Sequence, residues 1–379
     1  MHRLSADRKI RWDSLRARGA DLLFFSALAV VGLSYGLGYR LDWRQESGVP
    51  DDDVEVAEIP APASMPAMVA RLPSPPQMTP PAGAATLSAP PVPALLPTPS
   101  DAAWDKMTSR LETMADHYPG RVGIYLKDLR TGRTWTHNPD DLFPAASLIK
   151  LPILISTFYK MKDGGLSLDD QLTLTRRNRV GGSGSLKWRR DGSRFTVREL
   201  LGHMITESDN TATKMILDRL GIGYVQQQFP RMGLLYTGIY AEGMSLKSGR
   251  VAHENYTTAR EIEMLEEKIY RGEAVDKASS ALMLEILRRP HAVASRLSKG
   301  MPKGWEIAHK TGLERKACHD AAIFFTPNGD YAITVLTGQN RSYSEAKNFI
   351  TKVGHVTFAD YAGPRYIASL PRRERAWLR

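Results

Sequence analysis

Cysteine is almost missing from this chain of 379 residues, where Cys318 stands alone. That scarcity rules out an intramolecular disulfide framework and any thiolate-rich zinc or iron–sulfur site, but it leaves the compartment open because exported proteins also do without disulfides. The nine histidines form no His-Glu-x-x-His or comparable cluster, so no metal and no other cofactor is expected. A nucleic-acid motif is lacking too, although 51 Lys and Arg outweigh 41 Asp and Glu for a net charge of +10. Nucleic acid is therefore not an expected partner. No internal repeat is visible.

Charge itself is absent from residues 22–39, which follow a tail carrying Arg3, Arg8, Lys9, Arg11, Arg16 and Arg18. A helix of that length rises roughly 27 Å, close to the ~30 Å of a hydrocarbon core. A cleaved signal peptide has a shorter apolar region and small residues at its cleavage site; here the stretch runs into Gly38, Tyr39, Arg40 and Leu41. Residues 1–19 therefore read as a basic cytoplasmic tail and 20–39 as a retained transmembrane signal anchor, with everything beyond Arg40 outside. More than half of the 24 prolines fall between Pro50 and Pro99. Residues 40–100, acidic and then Pro/Ala/Ser-rich, cannot bury enough apolar surface to fold and read as a flexible spacer. Stretched as polyproline II at about 3.1 Å per residue, its Pro-rich part reaches up to roughly 120 Å.

From Asp101 the texture becomes globular. Trp104, Met107, Leu111 and Met114 mark an amphipathic helix, and 122–129 and 133–137 flank Arg130-Thr131-Gly132 as a β-hairpin. Helices are expected at 145–161, 196–205, 210–220, 258–271 and 277–288. Strands return at 305–311, 320–325 and 331–337, before a last helix near 344–361. Strands at both ends with helices between predict an α+β fold, one antiparallel sheet built from the two chain ends around an inserted helical block. The domain is placed at 101–364, with a basic tail at 365–379 carrying Arg372, Arg373, Arg375 and Arg379.

Three short motifs carry chemistry. Ser147-Leu148-Ile149-Lys150 puts a hydroxyl and an amine three apart at a helix start, where residues share a face and a lysine of lowered pKa takes the serine proton. Ser208-Asp209-Asn210 offers a second hydroxyl and a carboxamide, although such a tripeptide also serves simply to cap a helix. Lys310-Thr311-Gly312 ends a strand with a cation and a hydroxyl suited to a carboxylate. In this order the three form the set of class A β-lactamases and penicillin-binding proteins.

The chain from about Asp101 to Tyr361 resembles that class A β-lactamase-like branch of the penicillin-recognising serine hydrolases. The separations of the motifs are similar, and so are Leu172-Thr173-Leu174-Thr175, Thr196-Val197-Arg198-Glu199-Leu200-Leu201, Asn255-Tyr256-Thr257-Thr258 and His319-Asp320-Ala321-Ala322-Ile323. The resemblance implies that Ser147 is the acylated nucleophile, Lys150 its proton acceptor or relay, and Ser208 the donor toward the leaving nitrogen. It further implies that Asn210 binds a substrate amide, that Lys310, Thr311 and Gly312 receive a carboxylate, and that the backbone N–H groups of Ser147 and Leu313 form an oxyanion hole. The substrate is then a β-lactam or a D-Ala-D-Ala-type peptide.

Two departures qualify the likeness. The water-positioning glutamate of class A enzymes maps to Glu242, yet the residue four further on is Leu246 where those enzymes have asparagine. Acylation with slow deacylation, the behaviour of a penicillin-binding protein or D,D-peptidase, is the alternative to a β-lactamase. Val180-Gly181-Gly182-Ser183-Gly184-Ser185 replaces an aromatic pocket wall, so an open site is expected unless Trp188 substitutes. A further cation for the carboxylate is sought among Arg315, Lys316 and His319, whereas His309 is expected to pack on the opposite strand face.

Overall fold

The computed structural model describes residues 101–241, 243, 253–314, 316–369 and 371–375. The expected anchor at 20–39, the spacer at 40–100, Glu242 and Arg315 lie outside the described residues. Among the described residues no helix is long and apolar enough to cross a membrane.

The first helix, α1 (Asp101–Asp116), buries Trp104, Met107, Leu111 and Ala115, the stripe that its periodicity predicts. Strand β1 (Arg121–Asp128) turns back through Thr131 and Gly132 into β2 (Thr134–His137). The chain re-enters the sheet only near its other end, through β7 (Glu306–Glu314), β8 (Ala317–Phe325) and β9 (Tyr331–Gly338). The resulting order is β2-β1-β9-β8-β7, every pair antiparallel. Two short pairings accompany it, β3 (Phe143–Pro144) with β6 (Tyr256–Thr257) and β4 (Gln171–Thr173) with β5 (Arg194–Thr196). An α+β domain assembled from both ends around a helical block is what the order of elements implied.

Alternation along the strands assigns each residue a face. Val122, Ile124 and Leu126 of β1, with Ile333 and Val335 of β9, pack against α1 and α8 (Tyr343–Ala362). Ala308, Ala321, Ile323, Ala332 and Leu336 face the other way, into the helical block. That block comprises α2 (Lys150–Lys162), α3 (Val197–Thr206), α4 (Asn210–Leu220), α5 (Ile222–Met232), α6 (Ala259–Arg271) and α7 (Lys277–Arg288). Helix α3 begins in a capping box: Glu199 N donates to Thr196 Oγ1 at 3.2 Å and Thr196 N to Glu199 Oε2 at 2.7 Å, satisfying two donors that a helix start leaves open.

Three boundaries differ from expectation. The helix read from 145 opens as a 3-10 turn, Ala146–Ile149, and becomes α-helical only at Lys150. Helix α5 was not foreseen, because Gly221 and Gly223 at its start and Pro230 inside it read as breakers. The supposed tail contains α9 (Pro364–Ser369) and α10 (Arg372–Arg375), and Tyr366 donates from its hydroxyl to Gly300 O at 2.9 Å.

Candidate active site

The helical block and the edge strand β7 meet at the 3-10 turn, and the three motifs converge there. Gly312 makes the approach feasible: a Cβ on it would lie 3.1 Å from the His319 ring and 3.3 Å from Ala146 Cβ. Ala146, next to the nucleophile, holds φ at 45° and Ser208 holds 53°, left-handed values that L-residues other than glycine adopt at a cost.

Lys150 is buried and its Nζ has four oxygens around it. Ser208 O lies at 2.6 Å, Asn210 Oδ1 at 2.8 Å, Ser208 Oγ at 3.1 Å and Ser147 Oγ at 3.2 Å. The two nearest are a carbonyl and a carboxamide oxygen, which only accept. A neutral amine places its two N–H bonds on them and keeps a lone pair toward the hydroxyls. Burial first, and the charge of Lys310 second, hold Lys150 well below the ordinary lysine range, against the opposing pull of Asp209. The amine is thus in a form able to take the proton of Ser147.

Lys310, also buried, donates to Ser208 Oγ at 3.1 Å and to Thr311 O at 2.9 Å. Burial pushes it down to about 7, with Asp320 opposing and Arg296 assisting the shift. Ser208 Oγ therefore bridges two lysine nitrogens, a continuous path for a proton. Asp209, between Ser208 and Asn210, caps α4 through Ala212 N at 2.8 Å and accepts from Leu186 N at 2.8 Å. Capping and chemistry, alternatives for this tripeptide in the sequence, are thus divided between adjacent residues. Asn210 Nδ2 donates to Gly181 O at 3.0 Å.

Ser147, Lys150, Ser208, Asn210 and Lys310 are therefore joined by direct hydrogen bonds, and Thr311, Gly312 and Leu313 continue β7 beside the 3-10 turn. His319 is removed from the search for a second cation. Its Nε2 donates to Pro144 O at 2.7 Å and its Nδ1 accepts from Thr337 N at 3.2 Å; burial lowers it to about 4. Lys316 occupies the β7–β8 turn at φ 58°. Trp188 does not pack onto the motifs: it stands 80 % exposed, and its ring is met by the Lys187 ammonium of its own turn. His309 packs as expected, stacked on His291 at 3.8 Å between ring centroids.

Two supporting residues had no role readable in the sequence. Glu261 on α6 is buried and accepts from Leu235 N, Tyr236 N, Thr237 N and Thr237 Oγ1 at 2.6 to 2.8 Å, fixing the chain that leaves α5. Asp320 Oδ2 accepts from Ser295 Oγ, Arg296 N and Leu297 N at 2.5 to 3.0 Å, anchoring the segment behind β7. Glu261 stands three residues past a capping threonine, which reads as ordinary capping, and Asp320 lies in the His319–Ile323 stretch of the resemblance, which names no role for it. One trio of possible metal ligands, Glu112, Asp116 and His137, lies outside the site; His137 Nδ1 already pairs with Glu112 Oε1 at 2.8 Å.

Comparison with known proteins points the same way. A family model described as the β-lactamase enzyme family matches residues 106–361. β-Lactamase VEB-1 of Pseudomonas aeruginosa is 24 % identical over 277 residues, covering 69 % of this chain and 92 % of that protein. Among solved structures, PBP-A is 30 % identical with a TM-score of 0.62, covering 70 % of this chain and 99 % of its own, and a mutant of it is an acyl-enzyme complex with penicillin G. A β-lactamase from Sphaerobacter thermophilus superposes with a TM-score of 0.63 at 24 % identity, over 69 % and 99 % of the two chains, a likeness of fold.

Proposed function

This chain belongs to the β-lactamase enzyme family, and on that premise we propose that it is a membrane-anchored serine β-lactamase, acylated at Ser147. The observation that carries the reading is the hydrogen-bonded set Ser147, Lys150, Ser208 and Lys310. Lys150 takes the Ser147 proton as Oγ adds to the β-lactam carbonyl carbon. The oxyanion is received by the N–H groups of Ser147 and Leu313. Collapse breaks the C–N bond, and Ser208, fed by Lys150, delivers the proton to the departing nitrogen. Lys310 and Thr311 hold the substrate carboxylate, and Asn210 its side-chain amide after releasing a present partner. Water then hydrolyses the ester, with Glu242 the candidate base, and frees Ser147. Residues 20–39 tether the domain to the outer face of a bacterial inner membrane, on the strength of the apolar run and its basic flank.

A second reading is favoured by one comparison, the 30 % identity to PBP-A over nearly all of that chain. In it Ser147 acylates but releases its acyl group slowly, and the physiological substrate is a peptide ending in D-Ala-D-Ala. Both readings meet in one experiment: the full chain is labelled with fluorescent penicillin and the decay of the adduct is timed beside nitrocefin turnover. Labelling with rapid turnover, both lost in Ser147→Ala, supports the β-lactamase. A stable adduct without turnover sinks it in favour of the second reading, and failure of the wild type to label removes both.

A further inference from the structure

Strands β4 and β5 pair over only three residues each, yet the chain between them runs from Leu174 to Ser193. Connections of that length within compact domains generally carry function. Between Arg176 and Arg194 the sequence holds seven basic residues and one acid, Asp191. That acid is already committed. Arg179 donates to Asp191 Oδ1 from Nε at 3.0 Å and from Nη2 at 2.5 Å, and its guanidinium also reaches the carbonyls of Lys187 and Arg189. The clamp fixes the 3-10 turn Leu186–Trp188. It leaves Arg176, Arg177, Arg189, Arg190 and Arg194 exposed, with no carboxylate partner among the described residues. On this turn stands Trp188, 80 % exposed, with the Lys187 ammonium 5.4 Å from its ring centroid.

The inner side of the same loop is seated on the catalytic machinery. Gly181 O and Ser183 O accept from Asn210, Ser185 N donates to Glu207 Oε2 at 3.0 Å, and Leu186 N donates to Asp209 Oδ2. A Cβ on Gly184 would fall 2.1 Å from Asp209 Cγ. The contact is too close for any side chain, so loop and motif are pressed backbone to side chain. Whatever binds the outer face therefore lies beside the catalytic cleft.

We infer that this face docks a polyanionic glycan, a polymer of sugar rings whose substituents carry carboxylates. Guanidinium forks pair with carboxylates in two-point fashion, and several separate arginines match a repeating charge better than one small anion. The exposed indole offers a flat apolar platform to a sugar ring. A bilayer fits poorly, because Trp188 is the sole exposed large hydrophobic side chain of this connection among the described residues. A membrane pressed against this face would also crowd the cleft. The inference rests on the proposed function only in placing the domain outside the cytoplasm, and not on which amide Ser147 opens.

The full chain, reconstituted in neutral phosphatidylcholine nanodiscs, is sedimented with purified peptidoglycan sacculi as the anionic glycan probe. Binding is expected at low salt and should weaken about tenfold from about 50 to about 500 mM salt, as the Debye length shrinks. The combined variant Arg176→Glu, Arg177→Glu, Arg189→Glu and Arg190→Glu should bind at least about tenfold more weakly, and Trp188→Ala about threefold. Penicillin labelling of Ser147 should still go to completion in both and serves as the folding control, although it slows in the charge-reversed chain because penicillin is an anion. Unaltered sedimentation of the charge-reversed protein overturns the docking surface, as does capture by anionic phosphatidylglycerol vesicles with none by sacculi. Should charge reversal abolish labelling, Trp188→Ala decides alone, and its unchanged sedimentation is the overturning result. Failure of the acylation reading looks different, since no chain would label while sedimentation persisted.

Discussion

Two sets of buried ionisable side chains share this domain, and their surroundings differ in kind. The lysines of the cleft are richly met: Lys150 has four oxygens within 3.2 Å, and Lys310 has two. Two carboxylates of α6, Glu263 and Glu266, are not. Glu266 has Thr334 Oγ1 at 3.4 Å, and Glu263 Oε1 finds no partner among the described residues. Burial, aided by the charge of Glu267, pushes Glu263 up to about 8; burial, with Glu263 and Asp320 contributing, holds Glu266 well above the carboxylate range. Both sets are driven toward neutrality by the same physics. Shifted titration alone would nominate both as functional, yet only Lys150 touches the nucleophilic hydroxyl of Ser147, with Lys310 joined to it through Ser208. Connection to Ser147, rather than the size of a shift, separates chemistry from packing.

The comparison breaks most visibly if the lysines prove dispensable. Lys150→Ala should slow acylation by about 10²- to 10⁴-fold, the usual worth of a positioned base, read from the rate of penicillin labelling. Next comes Lys310, whose charge the substrate carboxylate requires. Values of kcat/KM report the free enzyme, so for a carboxylate-bearing β-lactam kcat/KM should fall as pH rises through about 7, approaching about tenfold per unit. In Lys310→Arg, which stays charged, that alkaline limb should vanish. A limb that persists would assign the titration elsewhere.

Asp320 tests whether a buried carboxylate with donors behaves unlike one without. It satisfies three donors through one oxygen, so Asp320→Ala should cost about 3 kcal/mol of stability, measured by urea unfolding. The smallest effect is expected at Glu266. Glu266→Gln should change activity less than about twofold and stability by no more than about 1 kcal/mol near pH 5. The sign with pH is fixed by linkage. The folded carboxyl stays protonated while the unfolded one ionises, so wild-type stability falls as pH rises above about 4.5. The variant lacks that loss and should gain on the wild type toward pH 8. An inactive Glu266→Gln protein that remains folded would erase the distinction drawn between the two sets.

Legibility in the sequence followed the range of the signal. Trp104, Met107 and Leu111, or Val122, Ile124 and Leu126, declare their faces through local periods, and Thr196 with Glu199 declares a helix start. Ser147, Lys150, Ser208 and Lys310 were legible because an ordered set of motifs is far rarer than any one of its members. Asp320 and Glu261 were not, since their donors lie more than twenty residues away in chain segments without a pattern. His319 was misjudged as a possible cation for the same reason. Neither Pro144 O nor Thr337 N, which fix its ring, is near it in sequence, and the burial that holds it neutral is a property of the fold. Helix α5 was hidden by its glycines and proline, whose local preferences are outweighed by the burial of Val225, Phe229 and Met232.

Ser208 sits at φ 53° so that one oxygen can stand between two lysines. Conformational ease and turnover therefore pull this position toward different residues. A glycine would relax the backbone and sever the proton path, whereas a β-branched threonine would keep a hydroxyl and worsen the strain. Selection for heat tolerance alone should wear the site away beginning at this residue, and selection for turnover should keep a slightly uncomfortable serine in place indefinitely.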